Sequence, residues 1–328
     1  MQTILVIGSN SFSGATFVDF LLQQGAKVVG TSRSNEGIDA FLPYKWRKHS
    51  DFTFYPLDLN LHLKEITELL HDVKPQYVVN FAAQSMVGES WQKPGDWFMT
   101  NAVSTIKLHD ELRKCNFLER YVHISTPEVY GSCSGFVKED ITFNPSTPYA
   151  VSRTAADMSL RTFHAAYKFP VVTTRAANVY GPGQQLYRII PRTILFIMLG
   201  RKLQLHGGGV STRSFIHMRD VCEATYKIMK NGQNGDTYHI STNEVVSILK
   251  LVEHICSKLE VKFEDHVEIV GDRLGKDSAY HLDSTKLRDE LDWQDCISLE
   301  EGIKECINWV KNNFDVLKKQ PFEYQHKT

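Results

Sequence analysis

The sequence predicts an α/β protein: a doubly wound parallel sheet with a smaller, mostly helical carboxyl-terminal lobe. Three observations carry that prediction. Short, wholly apolar runs alternate with helix-patterned segments through the first half, as strands buried on both faces do. The first run ends in a Gly/Ser loop that opens a helix. After about residue 180 the alternation loosens, with Pro182, Pro191 and Gly207-Gly208-Gly209 punctuating a series of shorter helices.

Taken in order, Ile4-Leu5-Val6-Ile7 is the first strand. Phe17, Phe20, Leu21 and Leu22 mark the first helix, and Lys27-Val28-Val29-Gly30 the second strand. Further strands are expected at 52–57, 77–81, 121–124 and 171–174, joined by right-handed helical crossovers. Between the second and third strands, Phe41, Tyr44 and Trp46 with Lys45, Arg47 and Lys48 read as a lid or surface loop. They are too few to form a nucleic-acid groove. Helices follow at 219–230, 245–259, 284–291 and 299–315, and the last dozen residues read as a polar tail. The division falls at 1–178 and 179–328, with the second part lending a strand or two to the sheet.

Composition narrows the function classes. The 328 residues are 42% hydrophobic and 23% charged, an ordinary globular balance that excludes disorder and collagen-like repeats. Lys plus Arg total 37 against 38 Asp plus Glu, so no basic face for nucleic acid or membrane is expected. Six scattered cysteines without a CxxC pair read as reduced thiols. No secretory signal pattern opens the chain, and no apolar stretch nears the ~20 residues of a bilayer span, so a cytoplasmic protein is expected. The thirteen histidines show no metal spacing, and His123, inside an apolar strand, reads as a core histidine.

Gly8-Ser9-Asn10-Ser11-Phe12-Ser13-Gly14 sits where a dinucleotide fold turns tightly and aims helix-terminal N–H groups at a pyrophosphate. Ser11 occupies the place of the usual middle glycine. At the end of the second strand, where NAD sites carry a carboxylate, stand Ser32, Arg33 and Ser34. An arginine between hydroxyls suits a 2′-phosphate, so NADP is expected, with NAD the alternative. Asp58 and Leu59, after the third strand, are placed at the adenine.

Pro148-Tyr149-Ala150-Val151-Ser152-Arg153 follows a proline-containing turn and opens a helix, and Ser125-Thr126-Pro127-Glu128-Val129-Tyr130-Gly131 follows a buried strand. With these blocks the chain resembles the extended short-chain dehydrogenases/reductases, in their nucleotide-sugar dehydratase and epimerase branch. The resemblance implies a Rossmann-type dinucleotide domain in residues 1–178 and a nucleotide-sugar lobe in 179–328. It makes Tyr149 the acid/base and puts Arg153 where the family has lysine. It gives Thr126 the hydrogen bond to the sugar O4 and Glu128 the role of base at C5. Dehydratases of dTDP-glucose place an aspartic acid at the position of Pro127, to protonate the leaving hydroxyl. Proline cannot do that.

Further matches run along the chain. Phe81, Ala82 and Ala83 resemble the cofactor wall, together with Tyr149 and Arg153. Ser85, Asn101, Asn178 (in Arg175–Pro182), Arg213 and Arg273 (in 272–277) fall at substrate-binding positions. The resemblance implies a nucleotide-sugar 4,6-dehydratase with a tightly bound nicotinamide dinucleotide regenerated in each turnover, and a homodimer formed through a four-helix bundle by the segments around 96–114 and from Tyr149 onward. A decarboxylase or 4-epimerase of the same branch stays open, although epimerases of the branch usually lack the glutamate. From another class, a non-catalytic nucleotide-sugar-binding protein stays open because of Arg153.

Overall fold

The computed structural model describes residues 2–133, 135–139, 142–271 and 281–327. Seven strands, β1 (Thr3–Ile7), β2 (Lys27–Thr31), β3 (Phe52–Tyr55), β4 (Tyr77–Asn80), β5 (Arg120–Ile124), β7 (Val171–Ala176) and β12 (Thr237–Ile240), form one sheet. Its order is β12-β7-β5-β4-β1-β2-β3, and every neighbouring pair is parallel. The chain winds outward to β3 on one side of β1 and to β12 on the other. A crevice therefore opens at the carboxyl ends of β1 and β4, where such folds bind ligands.

Side-chain alternation along each strand serves two cores at once. Ile4, Val6, Val28, Val79 and Val122 pack beneath α1 (Phe12–Gln23) and α7 (Met218–Asn231). Leu5, Ile7, Val29, Val78 and Tyr121 pack beneath α2 (Leu63–Val73), α4 (Thr105–Leu112) and α5 (Pro148–Tyr167). Between β4 and α4 runs α3 (Pro94–Phe98), continued by a π-helical turn over Met99–Ser104. The expected strands and the helices at 218–231, 248–258, 285–291 and 299–312 are all present.

The second half contributes β12 to the sheet and builds a third core of its own. There α6 (Ile189–Met198), α8 (Ile248–Lys258) and α11 (Leu299–Asn312) pack Ile194, Ile255, Ile303 and Val310 together. Short α9 (Phe263–His266) and α10 (Thr285–Leu291) lie between them in sequence. Two-strand pairs stitch the lobe: β8 (Asn178–Tyr180) with β11 (Phe215–His217), β9 (Leu203–His206) with β14 (Val267–Val270), and β10 (Thr212–Arg213) with β13 (Val246–Ser247). A fourth pair joins β6 (Phe136–Val137) to β15 (His281–Leu282).

One expectation is qualified and another corrected. The segment expected as a lid or surface loop does leave Lys45, Trp46, Arg47 and Lys48 exposed and Phe41 lining the cavity described below. Two of its aromatics are nevertheless packed: Tyr44 is buried against Phe52, and Phe41 lies on Trp309, whose indole N–H donates to the Ala40 carbonyl. Residues 320–327 are not a free polar tail. Phe322 rests edge-on against Phe196, and His326 stacks on the buried Trp97. An aromatic residue every second position (Phe322, Tyr324, His326) lets an otherwise polar segment dock.

Candidate active site

A cavity of about 450 Å³ opens at the carboxyl ends of β1, β2 and β4. Gly8, Asn10, Ser11, Ser32, Arg33, Asp58, Leu59, Phe81, Ala82 and Ala83, expected from the sequence at a cofactor, all line it. Gly8 has φ +82, and a Cβ there would lie 2.7 Å from the Ala82 nitrogen, so the position needs glycine. At Gly14 a Cβ would run into the Gly8 carbonyl, which is why helix and strand can touch there. Ser11 sits at φ −73, where no glycine is needed, and its hydroxyl caps the helix by accepting from the Gly14 N–H.

Not every loop residue offers its side chain to the cavity. The Phe12 ring belongs to the core beneath the sheet, leaving its backbone for a ligand, and Ser13 is half-buried in the first turn of α1. The Asn10 amide braces the neighbouring loop by donating to the Ser34 and Asn35 carbonyls. Arg33 donates to the main-chain carbonyl of Lys327 at 2.7 Å, and the Lys327 Nζ lies 3.4 Å from the Ser34 hydroxyl. Two cations and the hydroxyls of Ser32 and Ser34 thus meet at the end of β2.

One strand over, the amino terminus of α5 meets the carboxyl end of β5. Thr147 caps α5 by accepting from the Ala150 N–H, and Pro148 takes the first helical position, where it lacks no partner. That fixes Tyr149 and Arg153 one turn apart on the same face. After β5, Thr126 caps a 3₁₀ turn over Pro127–Tyr130, accepting from the Glu128 N–H at 3.4 Å. Pro127 opens this turn, and there its fixed φ serves the backbone.

Tyr149, Thr126, Glu128 and Arg153 converge. Burial and the charge of Glu128 push the Tyr149 phenol above its ordinary range. Arg153, a hydrogen bond from the Thr126 hydroxyl and Arg188 act in the opposite sense. Arg153 is itself buried and donates to the Ile124 carbonyl at the end of β5. Its Nε has no partner among the described residues.

Asn101 lies in the π-helical turn and is fully buried. Its Oδ1 accepts from the Gln84 N–H, and its Nδ2 donates to the Gln84 carbonyl and the Ser152 hydroxyl. That geometry corrects the expectation of a substrate contact: Asn101 ties the loop after β4 to α5. Ser85, next to Gln84, is exposed. Asn178 pairs in β8 with β11, and Arg213 in β10 donates to its neighbour's carbonyl, both half-buried in the second lobe. Arg273 lies outside the described residues.

Behind the reactive cluster runs a buried polar chain absent from the sequence prediction. Asp157, two turns from Tyr149 along α5, accepts from the Ser125 hydroxyl at 2.7 Å and pairs with Arg175 at 2.7 Å and His123 at 3.2 Å. Burial opposes its charge, yet Arg175 and His123 hold the carboxyl well below the usual range. Arg175, placed by sequence among the diphosphate-binding segment, is instead fully buried and also donates to the Tyr130 hydroxyl. His123 is the core histidine predicted, its ring bonded to Tyr121 and burial holding it neutral. The spacing Tyr149-Arg153-Asp157, every fourth residue of one helix, is the signal that would have found Asp157. Arg188 and Tyr187, beside the cluster and the cavity, carried no such signal.

Among the described residues no His/Cys/Asp/Glu group could hold a metal ion, all six cysteines are free thiols, and no helix is long and apolar enough to cross a membrane.

The model of the family described as GDP-mannose 4,6 dehydratase matches residues 5–306. A dTDP-glucose 4,6-dehydratase of Xanthomonas campestris is 31% identical over 95% of this chain and 94% of its own. The human dTDP-D-glucose 4,6-dehydratase is 34% identical over 75% of this chain and 71% of its own. Among solved structures, a dTDP-glucose 4,6-dehydratase from Bacillus anthracis in complex with NAD superposes with a TM-score of 0.88 at 28% identity, covering 97% of this chain and 99% of the other. A UDP-glucuronic acid 4-epimerase from Bacillus cereus, in complex with UDP-glucuronic acid and NAD, gives 0.86 at 25% identity, covering 95% and 99%.

Proposed function

The chain belongs to the GDP-mannose 4,6-dehydratase family, and from that premise we propose that it is a nucleotide-sugar 4,6-dehydratase using the convergence at Tyr149. It turns an NDP-hexose into an NDP-4-keto-6-deoxyhexose. The single observation carrying this reading is the meeting of Tyr149, Thr126 and Glu128 at the end of β5. A 4-epimerase needs only the first two. The third is a base for the C5 proton.

Two features fit a nicotinamide dinucleotide: the tight glycine turn at Gly8, which lines the cavity just before the amino terminus of α1, and the buried Arg153 Nε without a partner among the described residues. Gly8, Ser11 and the first turn of α1 (Phe12, Ser13, Gly14) would hold the pyrophosphate. Asp58 and Leu59 would hold the adenine end, and Arg153 a nicotinamide-ribose hydroxyl. When bound, the nicotinamide supplies a hydride acceptor for C4 and returns that hydride to C6. The solved relatives cited above hold NAD, so the expectation of NADP gains nothing from them. What supports NADP is local: Ser32, Arg33, Ser34 and Lys327 gather at the end of β2.

Tyr149 takes the O4 proton, with the Thr126 hydroxyl donating to its phenol oxygen and Arg153 favouring the phenolate. Loss of hydride from C4 makes the C5 proton acidic, and Glu128 removes it. With proline at 127, Glu128 carries that proton to the departing C6 hydroxyl, which leaves as water. Glu128, reprotonated from solvent, gives a proton to C5 as hydride reaches C6, and Tyr149 releases the O4 proton to solvent, so the proton count closes with one water lost. Ser85, Asn178, Arg213 and Arg273 are assigned to the sugar nucleotide, residues 1–178 to the dinucleotide and 179–328 to the second ligand.

Phe98, Met99 and Val103 with Val151 and Met158 leave an apolar face exposed on two packed helical segments, which supports a homodimer through a four-helix bundle. A monomer by sedimentation would overturn that assignment. Six free thiols support a cytoplasmic protein. To test the activity, the protein is incubated with UDP-, dTDP-, GDP- and CDP-hexoses and the products weighed. Loss of one water from one of them is expected, whereas unchanged mass with altered proton couplings would make it an epimerase. Heat-released cofactor, identified by chromatography, is expected to be NADP, and NAD alone would sink the Arg33 argument.

A further inference from the structure

Most of residues 320–327 line the same cavity as Gly8 and Arg33. Gln320, Pro321, Tyr324 and Lys327 all face it. The segment has no helix or strand, yet it is fastened at intervals to both halves of the molecule. On the second lobe, Arg192 grips Glu323 through two hydrogen bonds of 2.6 and 3.2 Å, and Tyr324 packs edge-on against Tyr187 at 5.5 Å. On the sheet side, His326 stacks on Trp97 at 5.0 Å and bonds to Asp96 at 2.7 Å. The Lys327 carbonyl accepts from both Arg33 and Gln84 at 2.7 Å. Gln84 in turn is the residue that Asn101 clamps to α5.

We propose that residues 320–327 are a retention strap for the dinucleotide. The proposal rests on reading the cavity as the dinucleotide site. The segment spans the mouth of the cleft from Arg192 to Arg33, so bound cofactor enters and leaves only when the strap lifts. The chemistry gives this a purpose. A hydride taken from C4 must return to the same molecule at C6, and a reduced cofactor lost between the two steps strands a keto sugar on an enzyme that cannot finish. A strap anchored by side chains rather than by secondary structure can lift for loading and hold through turnover.

The test uses the full chain, a Tyr324→Ala/His326→Ala variant and a chain ending at Gln320, each loaded with reduced dinucleotide. Its release is followed by nicotinamide fluorescence after mixing with excess oxidised cofactor. At least tenfold faster release is expected in both variants. The variants should also lose bound cofactor on gel filtration, with turnover returning on its re-addition. Release within twofold of the parent in both variants would overturn the strap while leaving the cofactor site standing. A parent that binds neither NAD(H) nor NADP(H) would overturn the cofactor reading itself, and the strap with it.

Discussion

Arg153 is where this chain departs most from the pattern its sequence resembles, and the structure gives the departure a physical account. The guanidinium is a wider donor than an ammonium: it donates to the Ile124 carbonyl while keeping its charge near the phenol. Burial and Glu128 favour the neutral phenol, so the positive charge is the main opposing influence together with the Thr126 hydrogen bond. A phenol that must be ionised to accept the O4 proton works only above its pKa. The acid limb of the kcat profile should therefore move to higher pH in Arg153→Met, by about one unit or more. Arg153→Lys should move it far less. An unmoved limb in Arg153→Met would mean that the charge at 153 does not act on Tyr149.

At the scale of elements, the join between β5 and α5 decides whether the reactive groups meet. Strands and helices were legible because apolar runs and helical periodicity are local properties, as at Ile4–Ile7 and Leu21–Leu22. The glycine loop was legible as a local strand-to-helix turn, whereas Tyr149 was singled out only by the resemblance of residues 148–153 to a family motif. Asn101 bonding Ser152, Asp157 bonding Ser125 and the Lys327 carbonyl meeting Arg33 join residues 51, 32 and 294 positions apart, and no local pattern encodes such pairs. Asp157 offers the sharpest test. Its carboxyl is held below the ordinary range, so its contribution is complete above an unfolded value of about 4 and fades as pH falls through the folded one. Asp157→Asn strips Arg175 of its buried partner and should cost about 3–5 kcal/mol in urea unfolding at pH 7. The gap between variant and parent should narrow below pH 4. An equal gap at pH 7 and pH 3.5 would show that the charge pair is not what Asp157 contributes.

Over the whole molecule, the buried polar chain runs from His109 through Tyr121, His123, Asp157 and Arg175 to Tyr130 and His239, tying the sheet from β5 to its edge at β12. His239 ends it in a fixed tautomer. Its Nδ1 faces the Val137 and Asp283 carbonyls as donor, and its Nε2 accepts from the Tyr130 hydroxyl at 2.8 Å. A second proton would displace that hydrogen bond, and burial with nearby Arg175 depresses the imidazole to about 3. His109 and His123 are shifted in the same direction, mainly by burial. The unfolded chain therefore binds protons that the folded chain refuses between about pH 6.5 and the depressed values, so stability present above pH 6.5 is lost as pH falls. Each histidine can supply up to about 1.4 kcal/mol per pH unit in that window. Unfolding free energy, measured in urea at half-unit steps from pH 7.5 to 5, should drop steeply below 6.5. In His239→Gln, whose amide can still donate and accept, the drop should be shallower by about one histidine's share. A slope identical to the parent's would mean that His239 gains its proton without unfolding the sheet edge.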